Sequence, residues 1–252
     1  MMVPLLALLV LSLAFHVSLV SPAALECARP RLRKEVRDLN ATEWQALTTA
    51  ANQLKRNGRM TQYTAVHQQY IQPAHGGALF MAWHRRFIWQ FETELLAITG
   101  SALSGLPYFD PLMSYSIFDP TNPHFVGEAT GCVRTGPMAN WMSVDGACLG
   151  RALTQQPTYV DPRALTQLIL TGQSFEAFGT AYEGGQHADV HNGIGGQMSS
   201  LQYAPDDLLF YMHHAHVDQV WWARQYANNM ALYWDYQGTH TPGGVGQVTL
   251  KL

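Results

Sequence analysis

The sequence predicts a mainly α fold with four or more core helices and long irregular loops. Apolar residues recur at helical spacing in several segments, and glycine or Asn-Gly stops close them. Residues 101–158 are rich in Gly, Pro, Asn and Ser and lack any such period. With 252 residues and no internal repeat, the chain is long enough for one sizeable domain with a proper core.

Helices are predicted over six segments: residues 42–57, 60–72, 80–99, 161–171, 184–192 and 206–225. We expect residues 26–38 to form an irregular strap, residues 73–77 to break the second helix, and the glycines of 193–196 to stop the fifth. In the last and longest helix, Asp206 and Asp207 are expected in the first turn, where acidic side chains complement the helix dipole.

The first 24 residues have the pattern of a secretory signal peptide. An apolar run over residues 3–20 precedes the small residues Ser21-Pro22-Ala23-Ala24. A basic n-region is missing, and an uncleaved membrane anchor is the alternative. We expect a secreted protein with no stable membrane association after signal removal, in which residues 25–236 form the domain and residues 237–252 a Gly/Thr-rich tail.

Three cysteines fit an oxidising compartment. Cys132 and Cys148 bracket a loop and are the expected pair, worth about 3 kcal/mol in the chain-entropy model. Cys27 is left over, as a free thiol or an intermolecular bridge. Asn40-Ala41-Thr42 is an N-glycosylation sequon, and the same Asn40 with Glu43 could form a helix capping box.

The charge of the chain argues against nucleic-acid binding, and its histidine content indicates metal binding. The net charge of −3 provides no electrostatic footprint for nucleic acid, so we expect no nucleic-acid partner. Eleven histidines against fifteen lysines and arginines is an unusual ratio. This ratio indicates metal chemistry.

The histidines fall into two groups on the predicted helices. His187 and His191 lie four residues apart, so both rings project from one helix face. One of three histidines crowded into a single turn of the last helix would complete a three-histidine site: His213, His214 or His216. A second set of three is divided between two helices and a loop: His67, His75 and His84.

Imidazole ligands suit zinc, copper, iron and nickel. The segment His-Ala-Asp-Val-His (187–191) lacks the glutamate that follows the first histidine in zinc metalloproteases. No bridging carboxylate accompanies the histidines at ligand spacing. Six imidazoles without a carboxylate have a low total charge, which favours a cuprous pair able to bind dioxygen.

Two segments carry a resemblance to a known family. HGGALFMAWHR (75–85) with Glu92, and DLLFYMHHAHVD (207–218), resemble the two copper signatures of the tyrosinase family, the type-3 dicopper proteins. That family comprises tyrosinases, catechol oxidases and molluscan-type haemocyanin units. CARPRLRK (27–34) and LPYFD (106–110) are similar to segments of short secreted fungal-type members. The resemblance implies an antiparallel four-helix bundle holding a dicopper centre.

The resemblance also implies two copper ions and their ligands: His67, His75 and His84 for copper A, and His187, His191 and His214 for copper B. His214 matches the ligand because Asp218 follows it by four residues. His213 and His216 are then helix neighbours, and the loop histidines His124 and His240 are expected to be exposed. We hypothesise that Arg85 and Asp218, which follow ligands on the two copper helices, pair across the bundle and orient the ligand rings.

The implied activity is the oxidation of o-diphenols to o-quinones by O2, with small phenols as substrates. Five aromatic residues are candidates for the pocket wall, although ordinary core packing is the alternative for most of them: Trp83, Phe87, Phe91, Trp221 and Trp222.

Three positions bear on catalysis. In many members that hydroxylate monophenols, an Asn follows the first copper B histidine and, with a nearby Glu, holds a water proposed to deprotonate the phenol. Here the Glu is matched by Glu183, but the Asn position is Ala188. Asn192, after the second histidine, could partly substitute. We predict weak or absent monophenol hydroxylation. The alternatives are a full tyrosinase with monophenolase activity, a haemocyanin-like O2 carrier and an inactive copper-binding scaffold.

Other departures from the family pattern leave the six implied ligands in place. Leu208 replaces the usual proline of the second signature, Gln53 stands where similar proteins have the partner of Cys27, and no cysteine near His75 could form a thioether. The chain leaves no room for a C-terminal shielding domain, so the site is expected to be open as secreted unless another chain covers it.

Overall fold

The computed structural model describes residues 30–113, 115–154, 161–171, 173–227, 230, 232–239 and 247–249. The predicted signal peptide, Cys27 and His240 lie outside the described residues. Within the described part, no helix is both long and apolar enough to cross a membrane.

The predicted mainly α fold is confirmed. The helices of the described residues are α1 (Ala41–Arg56), α2 (Arg59–Gln69), α3 (Ile71–Ala74), α4 (Leu79–Thr99), α5 (Pro162–Leu170), α6 (Phe175–Tyr182), α7 (Ala188–Ile194) and α8 (Leu208–Tyr226). Two short antiparallel hairpins accompany them: β1 (Thr130–Cys132) with β2 (Gly150–Ala152), and β3 (Gln237–Thr239) with β4 (Gln247–Thr249).

Helix α1 begins at the capping box predicted for Asn40. Asn40 Oδ1 accepts from the Glu43 backbone N–H at 2.9 Å, and a Glu43 carboxylate oxygen accepts from the Asn40 backbone N–H at 2.9 Å. The helix ends at Asn57, after which Gly58 adopts a φ of 78°. The strap before α1 is extended from residue 30 and contains one 3₁₀ turn, Val36–Asp38.

The predicted second helix is interrupted earlier than expected. Helix α2 ends at Gln69, Tyr70 leaves the helical conformation, and Pro73 lies inside the short α3. The expectation that residues 73–77 break the helix was therefore wrong in position. Pro73 is tolerated because it is the third residue of α3, where a backbone N–H has no acceptor within the helix. His75 is extended, with φ −130° and ψ 153°.

Helices α4 and α8 form the centre of the core. Their buried faces meet at Phe91 and Tyr211, whose rings stack with centroids 3.7 Å apart. The expected first turn of the last helix was wrong by two residues. Pro205 lies within a 3₁₀ turn, Ala204–Asp206, and Asp207 is the N-cap of α8, with its Oδ1 accepting from the Leu209 N–H at 2.9 Å.

The irregular region is closed by a disulfide and fastened to the core by an ion pair. The predicted disulfide between Cys132 and Cys148 is present, and Cys132 pairs with Gly150 across the β1–β2 hairpin. Arg151 of β2 donates two hydrogen bonds to Asp207 at 2.8 and 3.0 Å, with both side chains fully buried. Such a pair has to be complete, because removing one partner leaves an uncompensated buried charge.

Helix α6 was not predicted from the sequence. Ser174 caps it, and Phe175, Phe178 and Tyr182 bury their rings in a second core cluster that includes Trp221 of α8. The spacing of these three rings and the serine cap were the available signal. A π-helical turn, Glu183–His187, then joins α6 to α7, with a kink at Gly185. The predicted helix 184–192 therefore straddles two elements.

Candidate metal centre

The first set of histidines comes together as predicted. His67 lies on α2, His75 follows α3, and His84 lies on α4, and one nitrogen of each ring is within 4.8 Å of the others. His67 and His84 are at most 1% exposed. Three imidazoles at this separation can hold one metal ion.

The orientation of these rings is fixed by the backbone. His75 Nδ1 lies 3.0 Å from the Ile71 carbonyl oxygen, and His84 Nδ1 lies 2.9 Å from that of Phe80, four residues earlier in each case. A ring that donates from Nδ1 leaves the lone pair of Nε2 free. His84 Nε2 is buried without a hydrogen-bond partner among the described residues, as are both nitrogens of His67. A metal ion would give these nitrogens the partner they lack.

The second set is built around α7. His187 Nδ1 lies 3.0 Å from the Glu183 carbonyl oxygen, and His191 Nδ1 lies 2.6 Å from the Met198 carbonyl oxygen. The ring centroids of His187 and His191 are 4.6 Å apart. These contacts again direct both Nε2 atoms away from the backbone.

Two neighbouring histidines of α8 compete for the third position. A nitrogen of His213 lies within 4.8 Å of nitrogens of His187 and His191. His214 Nε2, however, lies 3.4 Å from His191 Nε2, and His214 lines the same cavity as His75 and His187, whereas His213 does not. Because two metals of one centre must face a common space, the geometry favours His214.

The surroundings of all six imidazoles favour the neutral form at neutral pH. Burial, together with the neighbouring rings of His75 and His191, lowers the pKa of His67 to about 3, and burial lowers that of His191 to about 4. Burial likewise lowers the pKa of a further four histidines: His75, His84, His187 and His214. Neutral imidazole is the form that binds metal, so the donor set fits two nitrogen-ligated ions.

A cavity of about 260 Å³ opens onto both sets. The three candidate catalytic residues line it: Glu183, Ala188 and Asn192. Burial raises the pKa of the Glu183 carboxyl to about 7, although the Gly76 N–H, 2.9 Å from each carboxylate oxygen, opposes this shift. At neutral pH Glu183 can therefore either hold or accept a proton.

None of the five aromatic residues proposed for the pocket wall lines this cavity. Phe87 and Phe91 pack in the core, Trp221 belongs to the second cluster, and Trp222 is 54% exposed. Trp83 lies behind His84, with ring centroids 4.9 Å apart. The aromatic wall is instead Phe210, which the sequence analysis missed although it lies within the second signature.

The expectation for His124 was wrong. His124 is 7% exposed, its Nε2 donates to the Leu39 carbonyl oxygen at 2.7 Å, and its ring packs edge-on against Trp44. A loop histidine can be buried when a backbone carbonyl accepts a hydrogen bond from its ring N–H. His213 and His216 are buried residues of α8. The ring of His213 stacks on that of His187, and the ring of His216 stacks on that of Tyr108.

The pairing of Arg85 with Asp218 is confirmed. Arg85 Nε donates to Asp218 Oδ1, and Arg33 of the strap donates to Asp218 Oδ2 at 2.7 Å. Arg33 also donates to Glu92 of α4 at 2.7 Å, and the side chain of Glu92 is fully buried. The strap thus links Glu92 of α4 to Asp218 of α8, and Arg85 joins Asp218 to the turn of α4 that carries His84.

Comparison with known proteins decides the family. The family model described as the common central domain of tyrosinase matches residues 57–227, more than half of the chain. This chain belongs to the tyrosinase family. That family uses a dicopper centre, to which the two histidine sets correspond.

Individual relatives agree with the family assignment. A tyrosinase-like protein of Caenorhabditis elegans is 31% identical over 214 residues, covering 75% of this chain but only 30% of the nematode protein. The tyrosinase of Streptomyces antibioticus is 29% identical over 234 residues, covering 79% of this chain and 85% of the bacterial protein. The chain therefore spans less than a third of the first relative and most of the second.

Solved structures share the fold. A variant of the polyphenol oxidase from Thermothelomyces thermophila aligns with a TM-score of 0.66 at 25% identity, over 78% of this chain and 72% of that one. Latent apple tyrosinase aligns with a TM-score of 0.57 at 18% identity, over 81% of this chain and 54% of that one. The helices that carry the histidines thus belong to a tyrosinase-type fold.

Proposed function

We propose that the chain is a dicopper oxidase that uses O2 to convert o-diphenols to o-quinones, with weak or absent hydroxylation of monophenols. The observation that carries this proposal is the pair of largely buried three-histidine sets that open onto one cavity. The balanced reaction joins two o-diphenols and one O2 to give two o-quinones and two waters.

The two copper ions would be held by His67, His75 and His84 and by His187, His191 and His214. When bound, they would supply the redox chemistry by passing electrons from the diphenol to O2. The chain contributes position and orientation. Backbone carbonyls fix the rings of four ligands, and Phe210 gives the cavity an apolar wall against which an aromatic ring can stack.

The cavity suits a single phenolic ring. An apolar cavity of about 150 Å³ is already large enough for benzene, and this one measures about 260 Å³. Ser199 and Ser200 at its wall provide hydroxyls, while Leu201, 54% exposed, adds apolar surface. Small diphenols with one substituent are therefore the expected substrates.

Two residues of the cavity wall support the proposed preference for diphenols over monophenols. Glu183 can accept a proton, and its orientation is held by the Gly76 N–H. Ala188, which lies in the same wall, has a methyl group that cannot hold a water by hydrogen bonding. A water near Glu183 would therefore lack one anchor, and deprotonation of an incoming monophenol would be slower. Asn192 also reaches the cavity and is the available partial substitute.

Oxygen uptake by the copper-loaded protein tests the proposal. 4-Methylcatechol and 4-methylphenol would be supplied separately, with trace catechol added to the monophenol to remove any lag. Uptake with the catechol alone supports the proposal, and sustained uptake with both would make the protein a full tyrosinase. Reversible O2 binding without turnover would indicate a haemocyanin-like carrier, and neither uptake nor binding would indicate an inactive scaffold.

We further propose that the protein is secreted and carries an N-glycan at Asn40. The apolar run at residues 3–20 supports export. The capping box uses Asn40 Oδ1 and the backbone N–H, so it does not require the side-chain amide nitrogen to which a glycan attaches. A loss of mass on deglycosylation that is absent in Thr42→Ala, which removes the sequon and keeps the cap, tests this proposal.

A further inference from the structure

His191 is held differently from the other ligand candidates. The Nδ1 atoms of His75, His84 and His187 each lie against the backbone carbonyl four residues earlier. His191 Nδ1 instead lies 2.6 Å from the carbonyl oxygen of Met198, beyond the end of α7. The orientation of the His191 ring therefore depends on where the segment 195–199 lies.

That segment lies directly on strand β2. Gly195 and Gly196 have φ values of 68° and 58°, which favour glycine. A Cβ on Gly196 would meet the Gly150 carbonyl oxygen at 2.0 Å, and one on Gly195 would meet that of Ala152 at 2.8 Å. Only glycine lets the two backbones approach this closely.

One side chain fixes the register between the segment and the strand. Gln197 Oε1 accepts from the Gly150 backbone N–H at 2.6 Å. Gly150 pairs with Cys132, and the disulfide to Cys148 closes the same hairpin. A hydrogen bond from the Thr154 N–H to the Gly193 carbonyl oxygen, at 3.0 Å, extends the attachment to the end of α7.

We propose that Gln197 is a positioning residue for His191. By accepting from Gly150, it fixes the segment 195–199 to the disulfide-closed hairpin, so that the Met198 carbonyl holds Nδ1–H of His191 and leaves Nε2 as the metal donor. The metal affinity of the second histidine set then depends on a hairpin that contributes no ligand. Removing this kind of outer support typically weakens metal binding about 10- to 100-fold. The inference rests on the proposed metal site.

Three variants separate positioning from stability. Gln197→Met keeps the length of the side chain and removes the acceptor, whereas Gln197→Glu restores an acceptor oxygen. Asn52→Ala is the matched control: Asn52 donates to the Pro137 carbonyl oxygen at 2.7 Å and accepts from Trp141 Nε1 at 2.9 Å. It therefore fastens the same disulfide-containing region to α1 without touching the segment 195–199.

Two measurements read out the effect. In the apoprotein, the nitrogen-15 and proton resonances of the His191 ring report whether Nδ1 carries a hydrogen-bonded proton. Copper titration of the apoprotein gives the affinities of the first and second metal. We expect Gln197→Met to lose the His191 Nδ1–H signal and to bind one of the two metals about 10- to 100-fold more weakly. Gln197→Glu should recover both properties, and Asn52→Ala should lower the unfolding midpoint while changing neither.

An unchanged His191 signal in Gln197→Met would overturn the inference. So would equal losses of metal affinity in Gln197→Met and Asn52→Ala, because the effect would then be one of general stability. If the wild-type protein bound no metal pair, the proposed function would fall instead, while the ring resonances of the apoprotein would still decide the role of Gln197.

Discussion

The rings of His84 and His214 stack face to face, with centroids 4.2 Å apart and planes 9° apart. One ring belongs to α4 and the first histidine set, and the other belongs to α8 and the second. Because both helices are buried and packed together, the distance between the two sets is fixed by the core. The two candidate metal positions therefore form one centre.

The position of the His214 ring predicts that His214, and not His213, is the metal ligand on α8. His214→Gln should reduce the copper content from two ions per chain to one, since it removes a donor that faces the shared cavity. His213→Gln, with the same change in chemistry one position earlier, should retain two ions. Elemental analysis after dialysis measures both. Loss of one copper from His213→Gln alone would assign the ligand to His213.

The link between Arg85 and Asp218 predicts an effect on copper retention. Asp218→Asn should weaken the charged hydrogen bonds from Arg85 and Arg33 and cost about 2 kcal/mol. We expect the variant to lose copper faster in the presence of a chelator, because the ligand-bearing turns of α4 and α8 lose a common anchor. Glu94→Gln, which weakens the more exposed pair with Arg59, serves as the control and should retain copper. Equal retention by both variants and wild type would refute the role of Asp218.

Acid should destabilise the apoprotein. The folded pKa values of His67 and His191, about 3 and about 4, lie below the ordinary value of 6.5, so the unfolded chain binds more protons below that pH. The free energy of unfolding should therefore fall as the pH drops from 6.5 towards 4. The contribution of Glu183 to this pH dependence has the opposite sign, because its raised pKa removes stability as the pH rises from 4.5 to 7. The histidines should nevertheless set the direction of the slope, because one carboxyl opposes several of them.

Urea unfolding at several pH values between 7.5 and 4.5 measures this slope. His67→Gln should flatten it, because the substituted side chain binds no proton in either state. A midpoint that is constant or that rises with acid would show that the histidines are already protonated in the folded chain.

The wall of the cavity predicts a gain of function. Ala188→Asn would place an amide beside Glu183, and we expect the ratio of monophenol to diphenol oxidation to rise several-fold through better anchoring of a water. Ala188→Val adds comparable bulk without a polar group and should not raise the ratio. Initial rates of oxygen uptake with both phenols test this. An increase in the valine variant as large as that in the asparagine variant would trace the effect to shape alone.

The sequence predicted the parts of this protein that depend on local pattern. Helix α4 was placed to within one residue, because its apolar period and Gly100 define it. The disulfide followed from two cysteines that bracket one loop. Both histidine sets followed from spacing and from the resemblance to the copper signatures.

Features that depend on distant partners could not be predicted. Asp207 pairs with Arg151, which lies far away in the chain, so this ion pair has no local signature, whereas the N-cap role of Asp207 is one that aspartate favours locally. His191 is held by the Met198 carbonyl, and a backbone oxygen carries no sequence signal. His124 is buried with its ring N–H donating to the carbonyl of Leu39, which is distant in the chain.

Copper titration of catechol oxidation tests the central claim most directly. Apoprotein would receive from zero to three equivalents of copper, and catechol-dependent oxygen uptake would be measured at each point. We predict that uptake rises with the second equivalent and saturates at two copper ions per chain, because both histidine sets face one cavity. Saturation at one equivalent, or no uptake at any ratio, would contradict a dicopper diphenol oxidase.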